Sequence, residues 1–359
     1  MVNFTHLQTF ANDNSWSVVA TGNNGTLLAC ELFPWNEGVR IYELRNGTVN
    51  KSRHQIKLRN LGIWDWITNG LERRYVCDIA MTVDGNYIVA RSGIVEIYSS
   101  TFRFERILYK WPYKYDTTGW ISVGVFPDGR IILCDSGRRV LVTKSCNGEA
   151  DSVMSVCGEH PVGLAILDET RVAVAALSEN LWHVYVYDLQ SRGRVVTIKV
   201  GCKSICGLCH HKGTDSILVS MNVCDQIHNV WRLDSITLCN THKSVVRQYC
   251  IDTGELLAQF ELGDTSAFIT CVSMPMSGNR ANEDVLAVSF WDQGIKTYKI
   301  THNHDADHQL PRVGDGTKCM YDLQREVVAS IQAREWFVFV CGVGAMVMFR
   351  GIRRKYLGW

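Results

Sequence analysis

Two short stretches of the chain carry residue types that could do metal or redox chemistry. In CKSICGLCHH (202–211), Cys206, Cys209 and His210 match the C-x-x-C-H pattern of covalent haem attachment. In THNHDADH (301–308), imidazole and carboxylate groups could supply nitrogen and oxygen ligands to a transition metal such as zinc. The candidate ligands there are His302, His304, Asp305, Asp307 and His308. Whether either stretch is a site depends on the elements that position it.

Neither stretch is predicted to hold a cofactor. ICGLC is predicted to be a β-strand, whose alternation sends Cys206 and Leu208 to one face and Cys209 to the other. The two thiols then do not converge, whereas a structural zinc site needs four converging ligands. The spacing within 301–308 matches no defined metal loop. We therefore expect no haem at Cys206, Cys209 and His210, no metal and no cofactor.

Composition places the chain among globular proteins. Hydrophobic residues make up 46% of its 359 residues and charged residues 20%. The 37 Lys and Arg residues nearly balance the 36 Asp and Glu residues, so no global field attracts nucleic acid or anionic lipid. No apolar run is long enough to cross a bilayer, and the N-terminus lacks the layout of a secretory signal. Most of the 14 cysteines lie in apolar stretches, which favours a reducing, cytoplasmic location.

A repeated pattern accounts for most of the chain. Six pieces, starting near residues 16, 76, 121, 161, 205 and 268, each contain a β-rich run, a polar turn and a second β-rich run. Third and fourth runs follow, as in HVYVYDLQSRG (183–193) and RVVTIKV (194–200). Four strands per unit, with most units starting roughly 40 to 60 residues apart, predict an all-β fold, a β-propeller of four-stranded antiparallel blades.

The number of blades is the open point of this fold prediction. Seven are favoured within a single domain over 1–359, near 16–58, 75–112, 120–157, 161–200, 204–263, 267–316 and 317–359. NFTHLQTF (3–10) is an orphan strand, and pairing it into the last blade would close the ring. Six blades are the alternative, because CMYDLQREVVASIQ (319–332) fits either of the last two units.

Several of these runs resemble known repeat families. VGVFPDGRIILCDSGRRVLV (123–142) resembles an NHL repeat, LAVSFWDQGIKTYKI (286–300) resembles the middle of a WD repeat, and HVYVYDLQSRGRVV (183–196) fits either. The whole chain resembles the NHL-type propeller at the end of metazoan tripartite-motif proteins. The RING, B-box and coiled-coil patterns of those proteins are absent, so ubiquitin-ligase activity is not implied.

Tryptophans mark the predicted binding surface. In a four-stranded blade, the loop between the second and third strands and the connector to the next blade lie on one face. Eight of the eleven tryptophans fall in or beside such segments, although some are expected to pack between blades instead. Trp, Tyr and Arg dominate binding hot spots. The residues expected to bind a partner are Trp35, Trp64, Trp66, Arg73, Arg74, Lys110, Trp111, Tyr113, Lys114, Tyr115, Trp182, Trp231 and Trp291.

These features predict a non-enzymatic interaction platform that binds another protein through the aromatic-rich face. No G-x-S-x-G, H-E-x-x-H or phosphate-binding Gly loop occurs. One alternative is single-stranded RNA binding on the same face, as in some NHL propellers, with a steep salt dependence. A further alternative is a calcium-dependent, lactonase-like hydrolase with carboxylates around an axial channel.

Overall fold

The computed structural model describes strands and turns between residues 2 and 302. The described residues are 2–10, 16–21, 26–31, 38–45, 48–50, 55–58, 76–91, 93–110, 120–145, 150–202, 205–223, 243–262, 266–274, 283–290 and 294–302. The chain divides into two compact units, 1–304 and 305–359, and the second lies outside the described residues.

The described residues of the first unit form β-strands, turns and one short 3-10 helix, η1 (Lys212–Thr214). Within the described ranges, no helix is long and apolar enough to cross a membrane. The strands are β1 (Val2–Phe10), β2 (Trp16–Thr21), β3 (Thr26–Glu31), β4 (Gly38–Arg45), β5 (Thr48–Asn50), β6 (Gln55–Lys57), β7 (Val76–Met81), β8 (Tyr87–Arg91), β9 (Ile94–Tyr98), β10 (Phe104–Lys110), β11 (Ile121–Val125), β12 (Ile131–Asp135), β13 (Val140–Lys144), β14 (Ala150–Ser155), β15 (Glu159–Ile166), β16 (Arg171–Ser178), β17 (Leu181–Asp188), β18 (Gly193–Lys199), β19 (Ile205–His211), β20 (Ser216–Val223), β21 (Lys243–Cys250), β22 (Leu256–Glu261), β23 (Ser266–Met274), β24 (Glu283–Phe290) and β25 (Gly294–His302).

These strands form antiparallel sheets that follow the chain in order, and we call them blades I to VI. Blade I contains β2–β5, with β6 paired to β4. Blades II to V contain β7–β10, β11–β14, β15–β18 and β19–β22, and blade VI contains β23–β25 together with β1. The prediction of four-stranded antiparallel blades is confirmed. The predicted count of seven was wrong, since the described residues form five four-stranded blades and one five-stranded sheet.

The ring closes through the N-terminal strand. The first strands of the blades contact one another in the cycle β2, β7, β11, β15, β19, β23 and back to β2. Strand β1 pairs along β25 from Val2 opposite His302 to Phe10 opposite Ile295. The N-terminal strand therefore completes the sheet of β23–β25 rather than a unit at 317–359, because it occupies the outer edge of β25. Residues 317–359 lie outside the described residues.

The first strands share a local irregularity. In blades I, II, IV, V and VI, the pairing of the first strand with the second skips one residue near the start, which is the mark of a β-bulge. Blade IV has a further shift between Glu159 and Val162, but at the position that the five blades share the skipped residue is small, as expected where neighbouring backbones approach closely. These residues are Ser17, Cys77, Gly163, Cys206 and Ala267.

Gly163 shows why size matters at these bulges. Its φ of +67° lies in the left-handed region, which favours glycine. A Cβ atom at this position would lie 3.1 Å from Cδ2 of Leu208 in the first strand of blade V. A larger residue would therefore strain the backbone and push two blades apart.

The core lies between neighbouring blades. Every residue of β12 is buried, because both faces of that strand pack against other blades. Leu133 belongs to the apolar cluster shared with blade II, and Ile132 to the cluster shared with blade IV. The outermost strand β10 is mostly exposed. Continuous apolar runs thus become inner strands, and charged alternating runs become outer strands whose edges meet solvent.

Candidate binding surface at the connector ends of the blades

In blades II to V the fourth strand ends beside the start of the third strand, and we call this end of the blade the connector end. In blade III, the backbone N–H of Val156, just beyond β14, donates to the carbonyl of Arg139, 2.8 Å away. In blade IV, the N–H of Val200 donates to the carbonyl of Trp182 at 3.2 Å, and the N–H of Trp182 donates to the carbonyl of Cys202 at 3.1 Å. Backbone hydrogen bonds thus hold the chain beyond the fourth strand against the start of the third strand in both blades.

Of the residues predicted to bind a partner, the structure describes Lys110 and Trp182. Lys110 is exposed at the last position of β10, where the chain passes into the connector 111–119. The other predicted residues lie outside the described ranges, so their role stays a prediction. They are Trp35, Trp64, Trp66, Arg73, Arg74, Trp111, Tyr113, Lys114, Tyr115, Trp231 and Trp291.

The prediction that Trp182 is a surface contact was wrong. The residue is 1% exposed and belongs to the apolar cluster between blades IV and V. It lies within β17 rather than in the preceding turn, which contains the exposed residues Glu179 and Asn180. The half-buried Trp120, at the start of blade III, packs against the same cluster. At these two positions the tryptophans are structural.

A hydrogen-bonded network lies between blades II and III near the connector end. The hydroxyl of Tyr109 donates to Oδ2 of Asp135 at 2.6 Å, and Nη1 of Arg138 donates to the same hydroxyl at 3.2 Å. Oδ1 of Asp135 accepts the backbone N–H groups of Gly137 and Arg138, each at 3.1 Å. The network therefore links an outer strand of one blade to a turn of the next.

This network connects a fully buried carboxylate to an exposed guanidinium group. Asp135 is inaccessible to solvent, and Arg138 is exposed. Burial, together with the hydrogen bond to Asp135, raises the pKa of Tyr109 to about 12, so its hydroxyl remains a donor at physiological pH.

Nearby, Trp120 N donates to Ser136 Oγ at 3.1 Å, and Ser136 N donates to the Trp120 carbonyl at 2.9 Å. Both ends of the connector 111–119 therefore join ordered structure.

Asp78 is a half-buried acid on the first strand of blade II, and its carboxyl group faces the interior. Its Oδ1 accepts the backbone N–H of Ile79 at 2.9 Å, and its Oδ2 accepts the N–H of Val123 in blade III at 2.8 Å. Burial raises the pKa of Asp78 to about 7, although both hydrogen bonds act in the opposite direction. A carboxyl that titrates near neutrality is suited to general acid–base chemistry. In this geometry, however, both oxygens are engaged by the backbone.

Ser122 performs the same structural task one blade further along. Its Oγ accepts the N–H of Gly163, the bulge residue of blade IV, at 3.1 Å. A polar side chain on the first strand of one blade thus satisfies a backbone donor on the first strand of the next, in two successive blades. Burying such a donor without an acceptor costs about 1–3 kcal/mol. The recurrence identifies the Asp78 contact as part of the architecture.

Blade II also contains a buried ion pair. Nη1 of Arg91 lies 3.3 Å from Oε2 of Glu96, and the hydroxyl of Tyr98 donates to the same oxygen at 3.0 Å. The neighbouring thiol of Cys77 has its pKa raised by burial to about 12. Burial raises the pKa of Cys134 as well. Neither thiol forms the thiolate that nucleophilic catalysis needs at neutral pH.

The CKSICGLCHH stretch has a structural explanation. Residues 205–211 form β19, the first strand of blade V, as predicted, and Cys206 is its bulge residue, so strict alternation does not hold there. Leu208 packs in the cluster with blade IV, and Cys209 in the cluster with blade VI. Burial raises the pKa of Cys209, while His210 Nε2 lies 3.0 Å from Asp215 Oδ1. The side chain of Cys206 is outside the described set.

Metal binding at the second stretch stays untested. The described residues contain no group of three or more His, Cys, Asp or Glu side chains arranged to hold a metal ion. His302 ends β25, and its side chain lies outside the described set, as do His304, Asp305, Asp307 and His308.

Sequence reasoning missed the polar residues between blades II and III. Asp78 was visible as an acid interrupting the apolar pattern of VCDIA. Asp135 precedes Ser-Gly in a turn, a position at which carboxylates often accept backbone N–H groups. Tyr109 and Arg138 gave no comparable signal, because their contacts join segments far apart in the chain.

Comparisons with known proteins support the fold and leave the function open. No protein-family model matches the chain, and no curated protein sequence matches it. A crystal structure of catalytically inactive virginiamycin B lyase from Staphylococcus aureus with quinupristin is similar at a TM-score of 0.51 and 10% sequence identity. The match covers 84% of this chain and all of that one, and identity this low shows the fold alone. The chain therefore has a β-propeller fold built from antiparallel blades.

Proposed function

We propose that the chain is a non-enzymatic platform that binds another protein at its connector ends around blades II and III. The observation that carries this proposal is the placement of Arg138, an exposed guanidinium held by Tyr109, which is held in turn by buried Asp135. An arginine fixed in advance loses less side-chain freedom on binding, and arginines of this kind are common hot spots.

The chemistry of this surface favours a partner that presents carboxylates beside an apolar anchor. Two exposed cations adjoin Tyr109. Lys110 follows it in β10, and Arg138 donates to its hydroxyl. The sequence adds Arg73, Arg74 and Lys114, together with Trp64, Trp66 and Trp111, in the connectors that lead into blades II and III. The resemblance to NHL-type propellers supports the same role. Cys134 and Cys209 are buried thiols outside any disulfide, which supports a reducing compartment.

The buried acids favour binding over catalysis. Asp78 engages the backbone through both oxygens, and Asp135 engages Tyr109 and two backbone N–H groups. A general base must reach the proton that it removes. Carboxylates committed to joining neighbouring blades are poorly placed for that role.

The test is recovery of binding proteins from a cell extract by the immobilised chain. We expect a folded Trp64→Ala, Trp66→Ala, Trp111→Ala variant to lose the partner, and an Arg138→Ala variant to retain it about tenfold more weakly. Arg103→Ala is the matched control for Arg138→Ala. Arg103 is also an exposed arginine, but it lies before the first residue of β10, at the opposite end of that strand from Lys110 and the connector end. Unchanged recovery by the folded triple variant contradicts the proposal. A steep loss of binding with salt, abolished by ribonuclease, favours RNA instead.

A further inference from the structure

The outer strand of blade IV exposes one of its two faces. In β18, Val195, Thr197 and Lys199 are exposed, whereas Val196 is half-buried and Ile198 is buried. This alternation is that of a strand with one face packed and the other in solvent. Val195 is 50% exposed, and it is the residue that the pairing of β18 with β17 skips, as at a β-bulge.

The outer strand of blade V repeats this pattern at equivalent positions. In β22, Leu257, Gln259 and Glu261 are exposed, and Leu257 is the residue that the pairing with β21 skips. The exposed fraction of Leu257 is 42%. Both strands therefore present an aliphatic side chain at the bulge, a polar one two residues later and a charged one at the strand's last residue. The charged residue is Lys199 in β18 and Glu261 in β22.

The charges on the two strands are opposite in sign. The stretch 189–199 contains three exposed cations and no acid, namely Arg192, Arg194 and Lys199. The stretch 253–262 contains two exposed acids and no base, namely Glu255 and Glu261. One outer strand is thus cationic and the next one acidic.

A further cation, Arg247 of β21, lies beside the acidic strand. Its Nε donates to Gln259 Oε1 at 2.8 Å, and its Nη1 donates to the Val200 carbonyl at 2.9 Å. These two bonds direct the guanidinium group towards blade IV, so the exposed face of β22 keeps its acidic character.

The exposed faces of β18 and β22 belong to one continuous surface. A Cβ atom on Gly254, in the turn before β22, would lie 3.4 Å from Cγ1 of Ile198 and 3.6 Å from the Thr197 carbonyl oxygen. The turn that leads into β22 therefore packs directly on β18, and Glu255 follows it. We call the exposed residues of β18 and β22 the outer surface of blades IV and V.

We propose that this outer surface pairs with the same surface of a second copy of the chain. A twofold axis parallel to the ring axis places β18 of one copy opposite β22 of the other and keeps equivalent positions level. Val195 then meets Leu257, and Lys199 meets Glu261, each of them twice in the dimer. Pairing β18 with β18 would instead bring like charges together.

The chain itself is the occupant because the surface carries its own complement at matching positions. Few aliphatic side chains are exposed there, so we expect a reversible dimer with a dissociation constant of tens of micromolar, on the order of those of small transient interfaces. The surface lies on different blades from Arg138, and the dimer does not depend on the partner proposed above.

Sedimentation velocity of the full chain at low salt, from about 1 µM to about 500 µM, measures this association. We expect monomer at the lowest concentration and dimer at the highest. Lys199→Glu and Glu261→Lys each bring like charges together at both contacts, and each should raise the dissociation constant about tenfold or more. An equimolar mixture of the two variants should restore association, because both contacts of the mixed dimer again join opposite charges.

Lys110→Glu is the matched control. Lys110 is also an exposed lysine at the last residue of an outer strand, β10 of blade II, so this variant should associate as the wild type does.

Three results would overturn the pairing. They are a wild type that stays monomeric at the highest concentration, a dimer that neither charge reversal weakens, and a mixture that does not restore association. If a reversal does not fold, carbodiimide cross-linking of the wild type mixed with its nitrogen-15-labelled form decides. A cross-link from Lys199 to Glu261 between labelled and unlabelled chains supports the pairing, and its absence from the dimer refutes it.

Discussion

The contact between blades IV and V and the contact between blades II and III are built differently. The IV/V contact is an apolar cluster around Trp182. The side-chain polar contacts described there involve partly or largely exposed side chains, and they join Arg171 to Asp252 and Arg247 to the Val200 carbonyl. The II/III contact has an apolar cluster of its own, but adds the half-buried Asp78 and the buried Asp135.

The two contacts show that apolar burial mainly stabilises the fold, whereas hydrogen bonds orient particular side chains. Apolar burial contributes about 25 cal/mol per Å² and is not directional, so the IV/V cluster stabilises the ring without fixing angles. Hydrogen bonds contribute only about 1 kcal/mol each, yet they fix angles, and breaking one leaves a buried polar group unpaired at a larger cost. The hydrogen bonds of the II/III contact accordingly orient Arg138. The predictions below test this contrast in order of decreasing effect.

Trp182→Ala should cause the largest loss. Removing a fully buried indole from the IV/V cluster leaves a cavity and is expected to lower the free energy of unfolding by about 3–5 kcal/mol. Urea denaturation followed by circular dichroism measures the change. Val195→Ala is the control, since Val195 is 50% exposed on an outer strand and should change stability by less than about 0.5 kcal/mol. A loss below 1 kcal/mol for Trp182→Ala would contradict the buried position.

Asp135→Ala should have the next largest effect. It removes the acceptor of Tyr109, Gly137 and Arg138, and should lower the free energy of unfolding by about 2–3 kcal/mol. Tyr109→Phe removes only one of these bonds and should cost about 1 kcal/mol. The double variant should lose less than the sum, because the two residues share a bond. Strict additivity would show that the network does not act as a unit.

His210→Gln should have the smallest effect, and that effect should depend on pH. Burial lowers the pKa of His210 below its ordinary 6.5, and Asp215 partly offsets this. The unfolded chain therefore binds the extra proton, so stability is retained above about pH 6.5 and lost as the pH falls below it. Free energies of unfolding at pH 7.5 and 5.5 should differ less in His210→Gln than in the wild type. His6→Gln, at an exposed histidine, should keep the wild-type difference.

Sequence patterns predicted correctly those features that depend on neighbouring residues, and failed for features that depend on residues distant in the chain. Alternation and turn chemistry predicted the hairpins, such as β11 and β12 around Pro127-Asp128-Gly129. They also indicated that the N-terminal strand closes the ring in the last blade, but they did not identify the strand that it pairs with, because β25 lies almost 300 residues away. They also misjudged Trp182, since a shift of two residues from turn to strand carries a side chain from solvent into the core.

The sequence by itself determined that this chain forms antiparallel four-stranded units in series, because hairpins depend on neighbouring residues and on side-chain alternation. Only the tertiary structure decided which strand the N-terminal strand pairs with, that Trp182 is buried, and that Asp78 meets Val123 across two blades. Those outcomes depend on contacts between residues distant in the chain. Such contacts are selected by the packing of whole blades, which no short stretch of residues encodes.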